Sequence, residues 1–493
     1  MSPRLIGVLC LAAGPALAQP GPHQAELERH HDHPVLTELV GNGGLPAEPL
    51  RPRPRPAGRE RVVFGYLPYW IDREYYAQLD FDLLTHVSAF SVEVQADGTV
   101  GDDHGWPWTA LVDSAHAHGV RVILTATLFG DGPVQSLVTD EARSQTFARA
   151  IRDRLREGRA DGLNVDFEGP GANGWPSFIN GFMASLTDYL HREVPGCEVS
   201  FAAPPVDWAG RWGFEGLAAS CDYLYIMGYA FTGSWSDRSG PTAPLTGGGR
   251  NLTTTVTGDF GTVTRGSPEK LILGVPYYGC QWQTSGPAAR AMAEGFVGYP
   301  RLADALPGAE SHGYLWDGVS GTPWYRYQNG DRWHQVWYDD AVSLGMKYDL
   351  ALQGKLRGVG VWALGYEGDR REPWDLLAQK IGRRSPPTAV AAEPLPGQVR
   401  LEQNYPNPFN GATQIAYDIP RAGRVEIEVF DGLGQQVLRR TVDHGRSGVY
   451  RWAWDGVDGR GRAAASGVYT YRVRFATGDG PTEVQRRRMV LAR

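Results

Sequence analysis

Residues 161–170 read DGLNVDFEGP, and both the fold and the chemistry turn on how this stretch is read. Its short apolar run bounded by Gly and Pro is that of a strand, on which side chains two apart share a face. Leu163, Val165 and Phe167 then fill one face, while Asn164, Asp166 and Glu168 converge on the other. Two ordinary core faces cannot accommodate that pattern. A polar layer satisfied inside the protein is the competing reading, but each buried carboxylate would cost several kcal/mol, about 3–5, unless paired.

Working outward, similar apolar runs occur at 62–70 (VVFGYLPYW), 86–94 (HVSAFSVEV), 121–129 (RVILTATLF), 198–205 (EVSFAAPP), 223–230 (YLYIMGYA), 271–279 (LILGVPYYG) and 358–365 (GVGVWALG). Most are separated by stretches with helical periodicity, such as 141–158 and 176–194. Strand and helix alternating eight times predict a (β/α)8 TIM barrel over residues 61–383, with a doubly wound open sheet as the alternative. The widest gap follows the seventh run, so residues 280 to 335 are expected to form an insertion walling one side of a cleft.

In such a barrel, polar residues at the C-terminal end of a strand mark catalysis, because the interior is otherwise packed with branched apolar side chains. Glu168 lies nearest the mouth and suits a general acid protonating a leaving oxygen. Ordinary glycosidases set two carboxyl groups across the scissile bond. Asp166 sits on the same strand as Glu168 and is poorly placed to attack from the opposite face. It has a natural task if the nucleophile is the substrate's own 2-acetamido oxygen, since it can hold the acetamide N–H and stabilise the oxazolinium charge.

The run Asp161 to Glu168, D-G-x-N-x-D-F-E, resembles the D-x-x-D-x-D-x-E signature of glycoside hydrolase family 18, the chitinases and their relatives. YIMGYA (225–230) is similar to that family's sixth-strand Met-x-Tyr motif, GVGVWALG to its eighth-strand segment, and GYLPYW and GVPYYG to its first- and seventh-strand segments. The resemblance implies a retaining, substrate-assisted hydrolase of β-1,4-linked N-acetylglucosamine polymers, chitin or peptidoglycan-like, with no metal or other cofactor. It implies Glu168 as acid and then base, Asp166 as the acetamide's partner and Tyr229 holding the acetamide carbonyl. Asn164 and Asp161 would support Asp166 from below, Trp362 would floor the sugar site, and Tyr66, Met227 and Tyr278 would lie in the matching strand segments. Asn164 stands where the signature has a second acid, as in the spore-cortex and chitobiase-type branches, and Ala230 stands where the family often has aspartate. A non-catalytic glycan-binding lectin and an endo-β-N-acetylglucosaminidase acting on N-glycans share this barrel and are the alternatives.

The rest of the chain adds context. The net charge of -7 is mild for 493 residues and gives no sign of a nucleic-acid partner. Sixteen Trp and 22 Tyr suit both sugar stacking and core packing. Trp208, Trp235 and Trp282 are candidate sugar platforms, Asp207 a possible cleft group, and Asp339 and Asp340 are expected at a helix N-terminus. Residues 1–18 read as a secretory signal, and no apolar run is long enough to span a membrane. Residues 19–60 read as an irregular solvated segment, including RHHDH (29–33) and the Pro-rich spacer RPRPRP (51–56), with no chemistry assigned. Cys197 and Cys221 are expected either to pair or to stay buried as thiols. After a linker at 384–396, residues 397–493 carry short alternating strands that predict an Ig-like β-sandwich. NYPNPFN (404–410), VEIEVFDGLG (425–434) and GRAAASGVY (461–469) resemble the type A sorting domain of the type IX secretion system, which implies that machinery as a partner and a secreted or surface-attached protein.

Overall fold

The computed structural model describes residues 22–33, 61–169, 174–208, 210–382 and, with short gaps, 399–491. The expected signal, the Pro-rich spacer and the linker at 384–396 lie outside the described residues. The chain divides into two units that meet between Arg384 and Ser385.

In the first unit, β1 (Val62–Pro68), β2 (His86–Glu93), β3 (Arg121–Phe129), β4 (Gly162–Glu168), β5 (Glu198–Ala203), β6 (Tyr223–Ile226) and β7 (Leu271–Pro276) are parallel. An insertion then supplies β8 (Cys280–Thr284), β9 (Ala293–Gly298), β10 (Leu315–Asp317), β11 (Thr322–Asn329) and β12 (Arg332–Trp337) before the eighth barrel strand, β13 (Gly358–Trp362). The barrel closes in the order β1-β13-β7-β6-β5-β4-β3-β2, and the insertion is a separate five-stranded antiparallel sheet. The expected barrel and the expected insertion are both present, and the doubly wound alternative is excluded by closure. The strands read as continuous apolar runs because helices cover their outer face and side chains fill their inner one. Two glycines are needed inside. A Cβ on Gly274 of β7 would lie 2.5 Å from the Tyr225 ring, and one on Gly360 of β13 would lie 2.2 Å from it, so neither position admits a side chain.

The helices are α1 (Pro22–His30) ahead of the barrel, then α2 (Thr109–Ala117), α3 (Asp131–Val138), α4 (Glu141–Gly158), α5 (Trp175–Glu193) and α6 (Phe214–Ser220). They are followed by the short α7 (Leu252–Thr254) and α8 (Gly261–Gly266), α9 (Leu302–His312) in the insertion, and α10 (Ala341–Gln353) and α11 (Glu372–Lys380). In α4 the spacing of Phe147, Ile151 and Leu155 makes the buried stripe, Asp140 caps the first turn through the Arg143 N–H, and Arg159 ends it at a φ of 53°. Asp340 does open α10, accepting from the Val342 and Ser343 N–H groups at 2.9 and 2.8 Å. Asp339 turns inward instead, to a buried ion pair with Lys347 and a 2.6 Å bond from Ser343. Asp340→Ala should therefore cost about 1 kcal/mol, read as a lowered urea midpoint with an unchanged slope.

Cys197, Cys221 and Cys280 are buried free thiols, so of the two expectations for Cys197 and Cys221 the unpaired one is found. Burial pushes the Cys197 thiol up to about 12, which leaves it inert at neutral pH. No described helix is long and apolar enough to cross a membrane.

The second unit is all β. Strands β14 (Arg400–Leu401), β15 (Thr413–Ile419) and β18 (Gly448–Trp454) form one antiparallel sheet, and β16 (Gly423–Phe430), β17 (Gln436–His444), β19 (Gly467–Ala476) and β20 (Glu483–Leu491) form the other. Alternate residues such as Val425, Ile427, Val429, Tyr471, Val473 and Phe475 make its core.

Candidate active site

All seven residues of β4 are buried, and its inner face is a polar ladder. On the lowest rung Asn164 accepts from the Tyr66 hydroxyl at 2.6 Å and donates to Ser200 Oγ at 2.9 Å, so β1 and β5 hold both ends of its amide. Above it, Asp166 is fully buried. Its Oδ2 is 2.7 Å from His23 Nδ1, while its Oδ1 has no hydrogen-bond partner among the described residues. Glu168, at the mouth, accepts from the backbone N–H groups of His23 at 3.2 Å and Gln24 at 3.1 Å, one on each oxygen. Tyr229, two residues beyond Met227 in the turn after β6, places its hydroxyl 2.7 Å from His23 Nε2. Trp362 ends β13; its ring stacks on the His23 imidazole with centroids 3.8 Å apart, and Tyr66 and Phe90 meet it edge-on at 5.3 and 4.7 Å. Its buried indole N–H also has no partner among the described residues. The His23 imidazole thus touches Asp166, Tyr229 and Trp362 while the residue's backbone N–H reaches Glu168, which fixes how closely the four groups converge.

Residues 62–367, more than half of the chain, match glycosyl hydrolases family 18. The chain belongs to that family. Human di-N-acetylchitobiase is 27% identical over 310 residues, covering 56% of this chain and 77% of that protein. The cortical fragment-lytic enzyme of Bacillus subtilis (strain 168) is 25% identical over 317 residues, covering 60% and 68%. In fold, the family 18 chitinase of Cycas revoluta crystallised with (GlcNAc)3 aligns with a TM-score of 0.58 at 18% identity, over 65% of this chain and 99% of that one. Residues 406–479 match the FlgD Ig-like domain, which makes the second unit an Ig-like β domain.

Within this family 18 barrel the other expected residues divide. Met227 and Tyr229 line an open cleft of about 1020 Å³ together with Glu168, Trp208, Trp235 and, from the insertion, Arg290. Trp208 is 60% exposed there, as a platform requires. Trp282 is not a platform: the alternation of β8 turns it inward, where it packs with Trp324, Trp337 and Phe296. Tyr278 is buried behind Tyr229, ring centroids 6.1 Å apart. Asp207 accepts from the Arg211 and Trp212 N–H groups and shapes its own loop. Asp161 does not reach Asp166. It precedes β4 at the opposite end, five residues and about 16 Å of strand away, and ties α2 and β3 together through His116 Nε2 and the Val122 N–H, at 2.7 and 2.8 Å. Ala230, where the family often has aspartate, adopts a φ of 60° and donates its N–H to Thr242.

The electrostatics follow from burial. Desolvation, with Asp166 adding to it, pushes the Glu168 carboxyl up to about 8, so it holds a proton at neutral pH. Desolvation likewise lifts Asp166 well above the usual carboxylate range and drops His23 to about 4. His23, Asp166 and Glu168 offer three ligand atoms within 4.8 Å of one another. Hydrogen bonds engage both His23 ring nitrogens, both Glu168 oxygens and Asp166 Oδ2, and a cation would have to displace several of them.

The largest departure from expectation is the N-terminal segment. Residues 19–60 read as irregular and without chemistry, yet Pro22–His30 is a helix seated in the cleft. No motif in the sequence marks His23, Gln24 or Phe90 as part of the site. Of RHHDH, His30 stacks on Trp70 at 4.5 Å, while His31 stays exposed beside Asp32. The signal present was Pro22, suited to a first helical position, followed by eight residues without Gly or Pro.

Proposed function

We propose that this chain is an exported, retaining glycosidase that hydrolyses β-1,4-linked N-acetylglucosamine-containing polysaccharide, of chitin or peptidoglycan type, by substrate-assisted catalysis. The observation that carries the reading is the convergence of Glu168, Asp166, Tyr229 and Trp362 on a space the size of one ring. Trp362 would stack the apolar face of the sugar. Its N–H and Asp166 Oδ1, both without a partner among the described residues, supply a donor and an acceptor for the sugar's polar groups. Glu168 gives its proton to the glycosidic oxygen as the C1–O bond breaks, and the acetamide oxygen closes on C1 to form an oxazolinium ion. Asp166 accepts the acetamide N–H and faces the cation, and Tyr229 orients the carbonyl. A water then loses a proton to the Glu168 carboxylate and adds to C1 as the C1–O bond of the oxazolinium breaks and the acetamide is regenerated, which restores the acid and retains configuration. Support also comes from the relatives, a chitobiase and a cortex-lytic enzyme, and from the (GlcNAc)3 held by the Cycas chitinase.

The test is incubation of the purified protein with chitin oligomers, peptidoglycan and an N-glycan, products read by mass spectrometry. Cleavage of the first or second with β-configured products is expected. Binding to all three without cleavage would favour a lectin, and cleavage of the N-glycan alone would favour the endo-acting alternative. A pH profile follows as well. A bound sugar covers Glu168 as α1 does, so kcat should fall as pH rises through about 8, where the general acid loses its proton. A descending limb already complete by about pH 6 would mean that another group donates the proton.

In the same reading, the Ig-like unit serves as the sorting domain for type IX secretion, releasing the enzyme or holding it at the surface. The matching motifs at 425–434 and 461–469 support this. Fusing residues 384–493 behind a fluorescent reporter, in a host with that machinery, should carry the reporter out of the periplasm; retention there would reject the role.

A further inference from the structure

The residues of α1 occupy the space that the proposed chemistry needs empty. His23 is fully buried, stacked on Trp362 at 3.8 Å, with Nδ1 on Asp166 and Nε2 on Tyr229, both at 2.7 Å. A planar ring with one polar edge toward Asp166 and another toward Tyr229 offers what a 2-acetamido group on a stacked sugar would offer. The first two N–H groups of this kind in α1, those of His23 and Gln24, take the two oxygens of Glu168, where the positive end of a helix favours a carboxylate. Both oxygens of the acid are therefore taken by the segment.

The rest of the helix is fastened along the cleft. Tyr366 donates to Glu26 at 2.6 Å, Arg29 pairs with Glu26 at 2.9 Å and lies over the Tyr299 ring, and Tyr69 donates to the His30 carbonyl at 2.9 Å. The seating is nonetheless incomplete. Asp166 Oδ1 and Trp362 Nε1 are buried with no partner among the described residues while α1 is in place, and a sugar bearing hydroxyl and amide groups can satisfy atoms that an imidazole cannot.

From this we infer that residues 22–33 are an intramolecular inhibitor, a substrate-mimicking plug whose His23 competes with the N-acetylglucosamine unit for one site, so that the full chain is latent until the plug is displaced or cut away. The inference rests on the proposed reading of the site as a sugar site. The barrel keeps all eight strands and their connecting helices without α1, so loss of the plug opens the site and leaves the fold intact.

The experiment uses the full chain with a specific protease sequence inserted between residues 43 and 50, cut after folding and freed of the released segment by gel filtration. Uncut protein, cut protein and the His23→Ala full chain are compared for cleavage of chitin oligomers, and binding of a synthetic peptide of residues 19–34 and of (GlcNAc)3 to the cut protein is measured by calorimetry. Occupied fraction lowers apparent affinity in proportion, so cutting or His23→Ala should lower KM by about tenfold or more with kcat unchanged. The peptide should bind, compete with (GlcNAc)3 and restore the high KM, and a peptide with His23→Ala should bind at least about tenfold more weakly. Equal kinetics in all three proteins, or no binding of the peptide to the cut protein, overturns the inference. Peptide binding without hydrolysis of any oligosaccharide by the cut protein would leave the plug standing and reject the proposed function instead.

Discussion

Glu168→Gln is expected to lower kcat by about 10²–10⁴-fold, the range that a positioned general acid and base contributes. The amide matches the carboxyl in shape at a buried position, so the thermal midpoint should stay close to that of the parent protein. Binding of (GlcNAc)3 should persist, because Trp362, Asp166 and Tyr229 are untouched. The two readouts separate loss of chemistry from loss of fold. Full turnover in a correctly folded Glu168→Gln protein would remove Glu168 from the mechanism and with it the assignment of the site.

Asp166→Asn should cost about 10²–10³ in kcat with little change in KM, the scale of removing one group aimed at transition-state charge. The argument is differential. Burial holds the Asp166 carboxyl well above its ordinary range in the resting site, whereas a cationic oxazolinium beside it pulls in the opposite direction. The carboxylate is therefore worth most when the cation develops, and an interaction stronger in the transition state than in the ground state appears in kcat. The substituted amide keeps the shape and loses the charge. A fall confined to KM, with kcat preserved, would make Asp166 a binding group only. Both variants are best measured in the His23→Ala background if the plug is confirmed, so that KM reports the sugar and not its competitor.

Much of this was legible from residue order. The eight apolar runs became the eight barrel strands because strands buried on both faces have no polar alternation to hide them. The alternation of β4 announced the ladder because period two leaves no other place for three polar side chains. Trp282 was also readable after the fact, since Cys280, Trp282 and Thr284 share the inward face of β8. Asp161 misled for a physical reason: a signature written on one line hides the length of the strand, and its first and last members lie at opposite ends of the barrel. The plug was invisible for another. PHQAELERH has only two apolar side chains, Ala25 and Leu27, and so no stripe to mark a helix. What holds it is a set of hydrogen bonds and ring contacts to residues distant in sequence, among them Glu168, Tyr229 and Trp362, and no local pattern encodes such partners.

The insertion has a consequence for how such a protein changes over generations. The chain leaves the barrel after β7 and returns at β13, and these strands pair directly, Ile272–Pro276 against Gly358–Trp362, as though nothing lay between them. Descendants could exchange the excursion at 280–337 for a longer, shorter or differently faced one without disturbing the spacing of Glu168, Asp166 and Trp362. The wall and the ladder beside it are therefore separate units of inheritance, one free to drift while the other stays fixed.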